Sequence, residues 1–184
     1  IYNPDFADSH NNLGVALFKL GQQDEAINSY KRAIAINPNL AKAYNNLGNV
    51  YKSLEQLEDA VKSYKKAIEI NPKLYDVYNN LGLALSMDDN RVNEAVKSYE
   101  KAIAIKPDYA EAHNNLGTAL KELRHLDDAV RIYKKAIELN PKFAIAHNNL
   151  GNLFVDLNQL ELAIKSFETA IKIDANLAVS YKNL

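Results

Sequence analysis

Asn11-Asn12-Leu13-Gly14 decides how this sequence is read, because the same four residue types return at Asn45 to Gly48, Asn79 to Gly82, Asn114 to Gly117 and Asn148 to Gly151. The five glycines are 34, 34, 35 and 34 residues apart. A fixed period in this range marks supersecondary units that cannot bury their apolar faces alone and become stable by stacking on one another. Function is then expected on a surface repeated along the chain rather than in one pocket.

Outward from these stretches, the steps Asn37-Pro38, Asn71-Pro72, Lys106-Pro107 and Asn140-Pro141 bound the units. Proline lacks a backbone donor and disfavours the helical conformation in the residue before it, so each step is predicted to end a helix. Five full units follow, at 7–40, 41–74, 75–109, 110–143 and 144–177. Residues 1–6 match the tail of a unit and residues 178–184 the start of another, so the sequence reads as a fragment of a longer protein. In the first unit His10, Leu13, Leu17 and Leu20 recur at helical spacing, and a second stripe follows Gly21-Gln22-Gln23 at Ala26, Ile27, Tyr30, Ala33, Ile34 and Ile36. Each unit is therefore predicted to be a hairpin of two helices. Acidic residues open the second helix at Asp24-Glu25, Glu58-Asp59, Asp127-Asp128 and Glu161, where carboxylates favour the positive end of the helix dipole. Glycine inside a helix costs about 1 kcal/mol against alanine. Its return in every unit, with Ala26, Ala33 and their equivalents, points to helices in close contact.

The chain has 184 residues, 47% hydrophobic and 24% charged, with a net charge of −1. That balance supplies no global attraction to nucleic acid or acidic membranes. No apolar run approaches the roughly 20 residues a membrane helix needs, and the N-terminus does not resemble a signal peptide. The absence of cysteine excludes disulfide and thiolate chemistry and fits a cytoplasmic or nuclear protein. Neither nucleic acid nor membrane is an expected partner.

Leu13-Gly14, a large residue at 17, then Ala26, Tyr30, Ala33 and Pro38 resemble the tetratricopeptide repeat signature, and the resemblance covers essentially the whole chain. The family usually has Trp at the fourth position of a unit, where this chain has His10, Tyr44, Tyr78, His113, His147 and Tyr181. The last full unit has Asp174-Ala175 in place of a proline step, so its helix end is expected to be less sharp. The resemblance implies an all-α, right-handed superhelical solenoid of antiparallel helix hairpins, with partial repeats at both ends, serving protein–protein interaction.

Numbering each unit from its first residue, positions 4, 7, 11 and 14 of the first helix fall within an arc of about 80° and form the core side, while positions 2, 6, 9 and 13 gather opposite. The centre of that second face is asparagine in every copy: Asn12, Asn46, Asn80, Asn115, Asn149 and Asn183. Asparagine is a poor helix former, and its amide donates and accepts at once, which suits the backbone of an extended peptide. Two readings stand: a ladder along a concave groove that holds a peptide, or amides that bond within and between neighbouring units. Asn49 and Asn152 at position 9 extend the ladder, whereas Val15, Leu83 and Thr118 hold that position elsewhere. The preceding asparagines, Asn11, Asn45, Asn79, Asn114 and Asn148, are shoulder residues, structural or binding.

This row is similar to the superhelical arrays of O-linked N-acetylglucosamine transferases and their plant relatives, whose asparagine ladders hold substrate backbone. The resemblance implies the substrate-presenting arm of a glycosyltransferase-like enzyme. The alternative function is an architectural array that stacks with other copies. Position 5 is asparagine in every full unit, so the lysine of a carboxylate clamp for acidic C-terminal peptides is missing. Asp8, Asp76, Glu111, Glu122 and Asp156 outnumber Lys19 and Lys42 at positions 2 and 13, so the wall is expected to be mildly negative and to suit a neutral or basic peptide.

The remaining features carry less. Ser86 to Val92 holds one extra residue and reads as a tolerated loop; a cation site from Asp88, Asp89 and Asn90 lacks the glycine and distal Glu of a calcium loop. Lys62, Lys65, Lys66, Lys97, Lys101, Arg131, Lys134 and Lys135 on the second helices read as a solvated outer surface. His10, His113 and His147 face the core stripe and read as packing residues rather than metal ligands. No catalytic constellation, metal site or cofactor motif is found. At the C-terminal end, Leu160, Ile164, Phe167 and Ile171 are expected to present an open apolar side, and copies are expected to associate end to end with residues 178–184 in or near that contact.

Overall fold

The structure, a computed structural model, describes residues 4–174. Among them are ten α-helices and one short 3-10 turn, with no strand. The helices are α1 (Pro4–Lys19), α2 (Gln23–Ile36), α3 (Ala41–Ser53), α4 (Leu57–Ile70), α5 (Tyr75–Leu85), α6 (Val92–Ile105), α7 (Ala110–Glu122), α8 (Leu126–Leu139), α9 (Ala144–Asp156) and α10 (Leu160–Ile173), and the 3-10 turn is Asp89–Arg91. They form two compact units divided after Arg91. In the first, α1 pairs with α2 and α3 with α4, while α3 and α5 each pack on the helix before them. In the second, α7 pairs with α8 and α9 with α10, while α7 packs on α6 and α9 on α8.

The helix ends follow from local chemistry. Asn37, Asn71 and Asn140 leave the helical conformation at φ −129°, −139° and −137°, as a residue before proline must. Each side-chain oxygen then accepts the N–H two residues on, from Asn39, Lys73 and Lys142 at 3.0, 3.1 and 3.2 Å, an Asx turn that redirects the chain. Asp174 adopts the same backbone, φ −137° with its N–H on the Ala170 carbonyl at 2.9 Å, so α10 ends as sharply without a proline as the other second helices do. Aspartate shares asparagine's preference for such turns. α1 is described from Pro4, so Pro4 to Phe6, expected as the tail of a preceding unit, lie on this helix. Proline has no N–H to lose in a first turn and its fixed φ is already helical.

Between paired helices the chain reverses through a left-handed residue: Gly21 at φ 79°, Glu55 at 58°, Arg124 at 64° and Asn158 at 57°. At Gly21 the N–H groups of Gly21 and Gln22 reach back to the Phe18 and Leu17 carbonyls at 3.0 and 2.9 Å, satisfying two carbonyls that the helix end leaves open. The extra residue of the third repeat is absorbed in the 3-10 turn, where Asp88 Oδ1 accepts both the N–H and the Nδ2 of Asn90 at 3.0 and 3.1 Å. That carboxylate oxygen is used internally, as a tolerated loop requires.

The recurring glycine faces an aromatic ring. A Cβ built on Gly14, Gly48, Gly117 or Gly151 would lie 2.6 to 2.8 Å from the nearest ring atom of Tyr30, Tyr64, Tyr133 or Phe167. Those rings are fully buried and tie the second helix of each hairpin to the first. In the first unit Ala26, Tyr30, Leu47 and Val50 form one core cluster; in the second, Tyr133, Leu150, Leu153, Phe154 and Phe167 with Ala129 and Ala163 form another. Phe167, expected on the open side of α10, is thus a core residue, because it occupies the column of Tyr30, Tyr64 and Tyr133. Leu160 and Ile164 are exposed as expected, and Leu162 joins them.

Candidate interaction face

Each unit presents such a face, from the first helices α1, α3 and α5 in the first unit and from α7 and α9 in the second, and asparagines within each are already engaged with one another. Asn46 Nδ2 donates to Asn11 Oδ1 at 2.9 Å, Asn80 Nδ2 to Asn45 Oδ1 at 3.1 Å, and Asn149 Nδ2 to Asn114 Oδ1 at 3.0 Å. Each bond runs from position 6 of one repeat to position 5 of the repeat before it. Asn11 and Asn114 then donate to their own neighbours Asn12 and Asn115, at 3.4 and 3.3 Å. Asn11, Asn79, Asn114 and Asn148 are buried, so these shoulder asparagines are part of the packing.

Position 6 keeps an outward aspect. Asn12 is exposed, and Asn46, Asn80, Asn115 and Asn149 are half-buried. Asn46, Asn80 and Asn149 each give one Nδ2 hydrogen to the preceding repeat, which leaves Oδ1 and the second hydrogen outside that bond. Position 9 is organised in the opposite sense: the Tyr64 hydroxyl donates to Asn49 Oδ1 at 2.8 Å, which leaves the NH2 of the half-buried Asn49 outside that bond. Thr118 holds the same place against the Tyr133 hydroxyl at 3.0 Å. Asn152 is half-buried on α9, and Asn183 lies outside the described residues. The role of the second-helix tyrosines in fixing position 9 is the feature the sequence reading missed; the signal was the Asn or Thr that recurs 15 residues before a tyrosine.

The charges on this face are more balanced than counting positions 2 and 13 suggests. Asp8 pairs with Lys42 at 2.7 Å, and Asp156 pairs with Lys121 at 2.8 Å, a lysine at position 12 that the count omits. Asp76, Glu111 and Glu122 remain as the other carboxylates of the expected wall. On the second helices the basic residues form short-range pairs, Lys62–Asp59 at 3.7 Å, Lys66–Glu69 at 2.8 Å, Arg131–Asp128 at 2.7 Å and Lys135–Glu138 at 2.9 Å. That is the pattern of a solvated surface. His113 and His147 bring Nε2 to the Pro107 and Pro141 carbonyls at 3.0 and 3.1 Å, so these rings donate to the preceding turn. Among the described residues no three His, Cys, Asp or Glu side chains converge as metal ligands, and no helix is long and apolar enough to cross a membrane.

No curated protein matches the chain. Among solved structures it is similar to MamA, at 28% identity over 90% of this chain and 96% of that one, with a TM-score of 0.79. It is also similar to YrrB, "a TPR protein with an unusual peptide-binding site", at 23% identity over 94% and 89% with a TM-score of 0.73. Pseudomonas aeruginosa PilF superposes with a TM-score of 0.86 at 20% identity, over 97% and 81%. A TPR repeat model matches residues 16–54 and 86–123, and tetratricopeptide repeat models match 41–74, 114–178, and 1–28 with 63–97. With hairpins of this period, an aromatic seated on a glycine, and repeat models covering the sequence from residue 1 to 178, the chain belongs to the tetratricopeptide repeat family.

Proposed function

We propose that this chain is a protein-interaction scaffold whose first-helix face holds an extended segment of a partner protein by its backbone. The observation that supports this most directly is the complementary use of amide atoms: Asn46, Asn80 and Asn149 give an Nδ2 hydrogen to the neighbouring repeat and keep Oδ1 out of that bond, while Asn49 accepts from Tyr64 on Oδ1 and keeps its NH2 out of that bond. On α3 the acceptor Asn46 and the donor Asn49 lie three residues apart, one above the other on the helix. They match the N–H and C=O of an extended peptide, and fixing each amide beforehand lowers the ordering cost of binding. Asn12 lies in the same row of the first unit, and Asn115, Asn149 and Asn152 form the row of the second. YrrB, a TPR protein with a peptide-binding site, is a precedent for this use of the fold. The segment bound is uncharged or basic, given Asp76, Glu111 and Glu122. The same chemistry suits the substrate-presenting arm of a glycosyltransferase-like enzyme, the context implied by the resemblance of the asparagine row.

The test compares two pairs of substitutions that break the same bonds between repeats. Asn46→Ala with Asn80→Ala removes the oxygens kept out of those bonds; Asn11→Ala with Asn45→Ala removes only their inner partners. Peptides selected on the unaltered chain from a random library are titrated by fluorescence polarisation. Two lost hydrogen bonds at roughly 0.5–1.5 kcal/mol each make the first pair about tenfold weaker. The second pair is expected to lose less than about threefold. Equal affinities for the two pairs would remove the proposal.

A further inference from the structure

Between α3 and α5 of the first unit lies a depression of about 250 Å³, with Ala41, Lys42 and Asn45 contributed by α3 and Leu74, Asp76 and Val77 by the start of α5 and the residue before it. That is below the roughly 300–1,000 Å³ of sites that enclose a whole small molecule. It suits a single side chain. Asn45 joins the depression to the asparagine row, since its Oδ1 accepts from Asn80 at 3.1 Å. Ala41, Leu74 and Val77 give it apolar surface.

Position 2 of the three first helices in this unit holds Asp8, Lys42 and Asp76. Lys42 reaches back to α1, where Asp8 takes its ammonium at 2.7 Å. Asp76, half-buried on α5, pairs with no other described residue. At position 2 the balance is thus two carboxylates to one ammonium, and the unmatched charge belongs to the depression. A carboxylate in the first turn of α5 also favours the helix dipole. The helix does not depend on it, because α3 and α9 begin with Lys42 and Ile145 at the same position and no acidic residue in the first turn.

We infer that this depression is a subsite for one lysine or arginine side chain of the bound segment, its methylene stem on Ala41, Leu74 and Val77 and its charged head on the Asp76 carboxylate. The inference rests on the peptide-binding role proposed above and specifies what that peptide carries. Long basic side chains lay an apolar stem along apolar surface while the head stays near water, and an open depression edged by a carboxylate accommodates both parts. Both oxygens of an ionised carboxylate are acceptors, and a cationic N–H bonds to them more strongly than a neutral donor does. In the second unit Ile145 of α9 stands where α5 has Asp76, so that position carries no carboxylate there.

The test uses peptides selected from a random library on the unaltered chain, each paired with a version in which its basic residue is alanine. Fluorescence polarisation compares the two on the parent, on Asp76→Asn, which removes the charge and keeps the shape, and on Asp76→Ile, which copies α9. Circular dichroism confirms that both variants fold. On the parent, losing the basic residue weakens binding about fivefold, the size of a partly exposed ion pair. On either variant the same loss is expected to change affinity less than about twofold, and peptides selected afresh on Asp76→Lys are expected to carry an acidic residue at that place. Variants that weaken both members of each peptide pair alike show a merely structural Asp76 and overturn the inference, as does a selection in which no basic residue recurs at one place. Failure to select any peptide overturns the peptide-binding role and this subsite together. Peptides that depend on Asn46 and Asn80 but not on Asp76 overturn the subsite alone.

Discussion

Substituting Gly48 by alanine probes the contact that closes each hairpin. Its Cβ would lie 2.6 Å from Tyr64 Cε1 and 2.8 Å from Cδ1, closer than carbon atoms approach without displacement. The ring is fully buried and its hydroxyl is held by Asn49 at 2.8 Å, so it cannot swing away freely. Overpacking of this kind costs about 1–3 kcal/mol, and losing the Tyr64–Asn49 bond adds about 1 kcal/mol. Alanine recovers about 1 kcal/mol of helix propensity over glycine. The net is a destabilisation of about 1–3 kcal/mol. Gly21→Ala is the matched control: nothing lies within 4 Å of its Cβ, and its cost comes from φ 79° alone, at about 1 kcal/mol. Urea denaturation followed by far-UV circular dichroism measures both. Tyr64→Leu combined with Gly48→Ala relieves the clash, so the double variant is expected to lose less than the sum of the singles. A Gly48→Ala protein as stable as the parent, or strict additivity with Tyr64→Leu, refutes the reasoning.

The bond between repeats is measured by a cycle of Asn11→Ala and Asn46→Ala, for which a coupling of about 0.5–1.5 kcal/mol is expected. Effects that simply add in urea denaturation sink that assignment. Stability also depends on alkaline pH: burial pushes Tyr30 and Tyr133 up to about 12, and Tyr64 higher still. Their folded pKa values lie above the unfolded value of about 10, so this contribution is whole below about pH 10 and is lost as pH rises through 12. The urea midpoint is expected to fall between about pH 9 and about pH 11, and an unchanged midpoint contradicts it.

The period, the hairpins and the glycine contacts were legible because each rests on a local rule repeated several times. Helical spacing, a costly glycine and a chain-terminating proline recur together, so chance agreement at one repeat is corrected by the next. Phe167 was misplaced by following the apolar stripe of one helix instead of comparing it with Tyr30, Tyr64 and Tyr133 across the repeats. The asparagines show a firmer limit. Sequence gives their positions, but which end of each amide is engaged depends on where the neighbouring repeat places Asn11, Asn45 or Asn114, and on a tyrosine hydroxyl from another helix. The Lys121–Asp156 pair is hidden for the same reason, since its partners belong to different positions of successive repeats.

The asparagine bonds between repeats join residues 35 apart, and the main helix contacts are with the next helix or the next but one. Folding then never has to close a loop much longer than one repeat, and the entropy of chain closure is met in small equal instalments. Chains dominated by such near-neighbour contacts reach the native state quickly for their length. A hairpin and its successor have all the partners they need as soon as both have left the ribosome, so ordering can keep step with synthesis instead of waiting for the last residue.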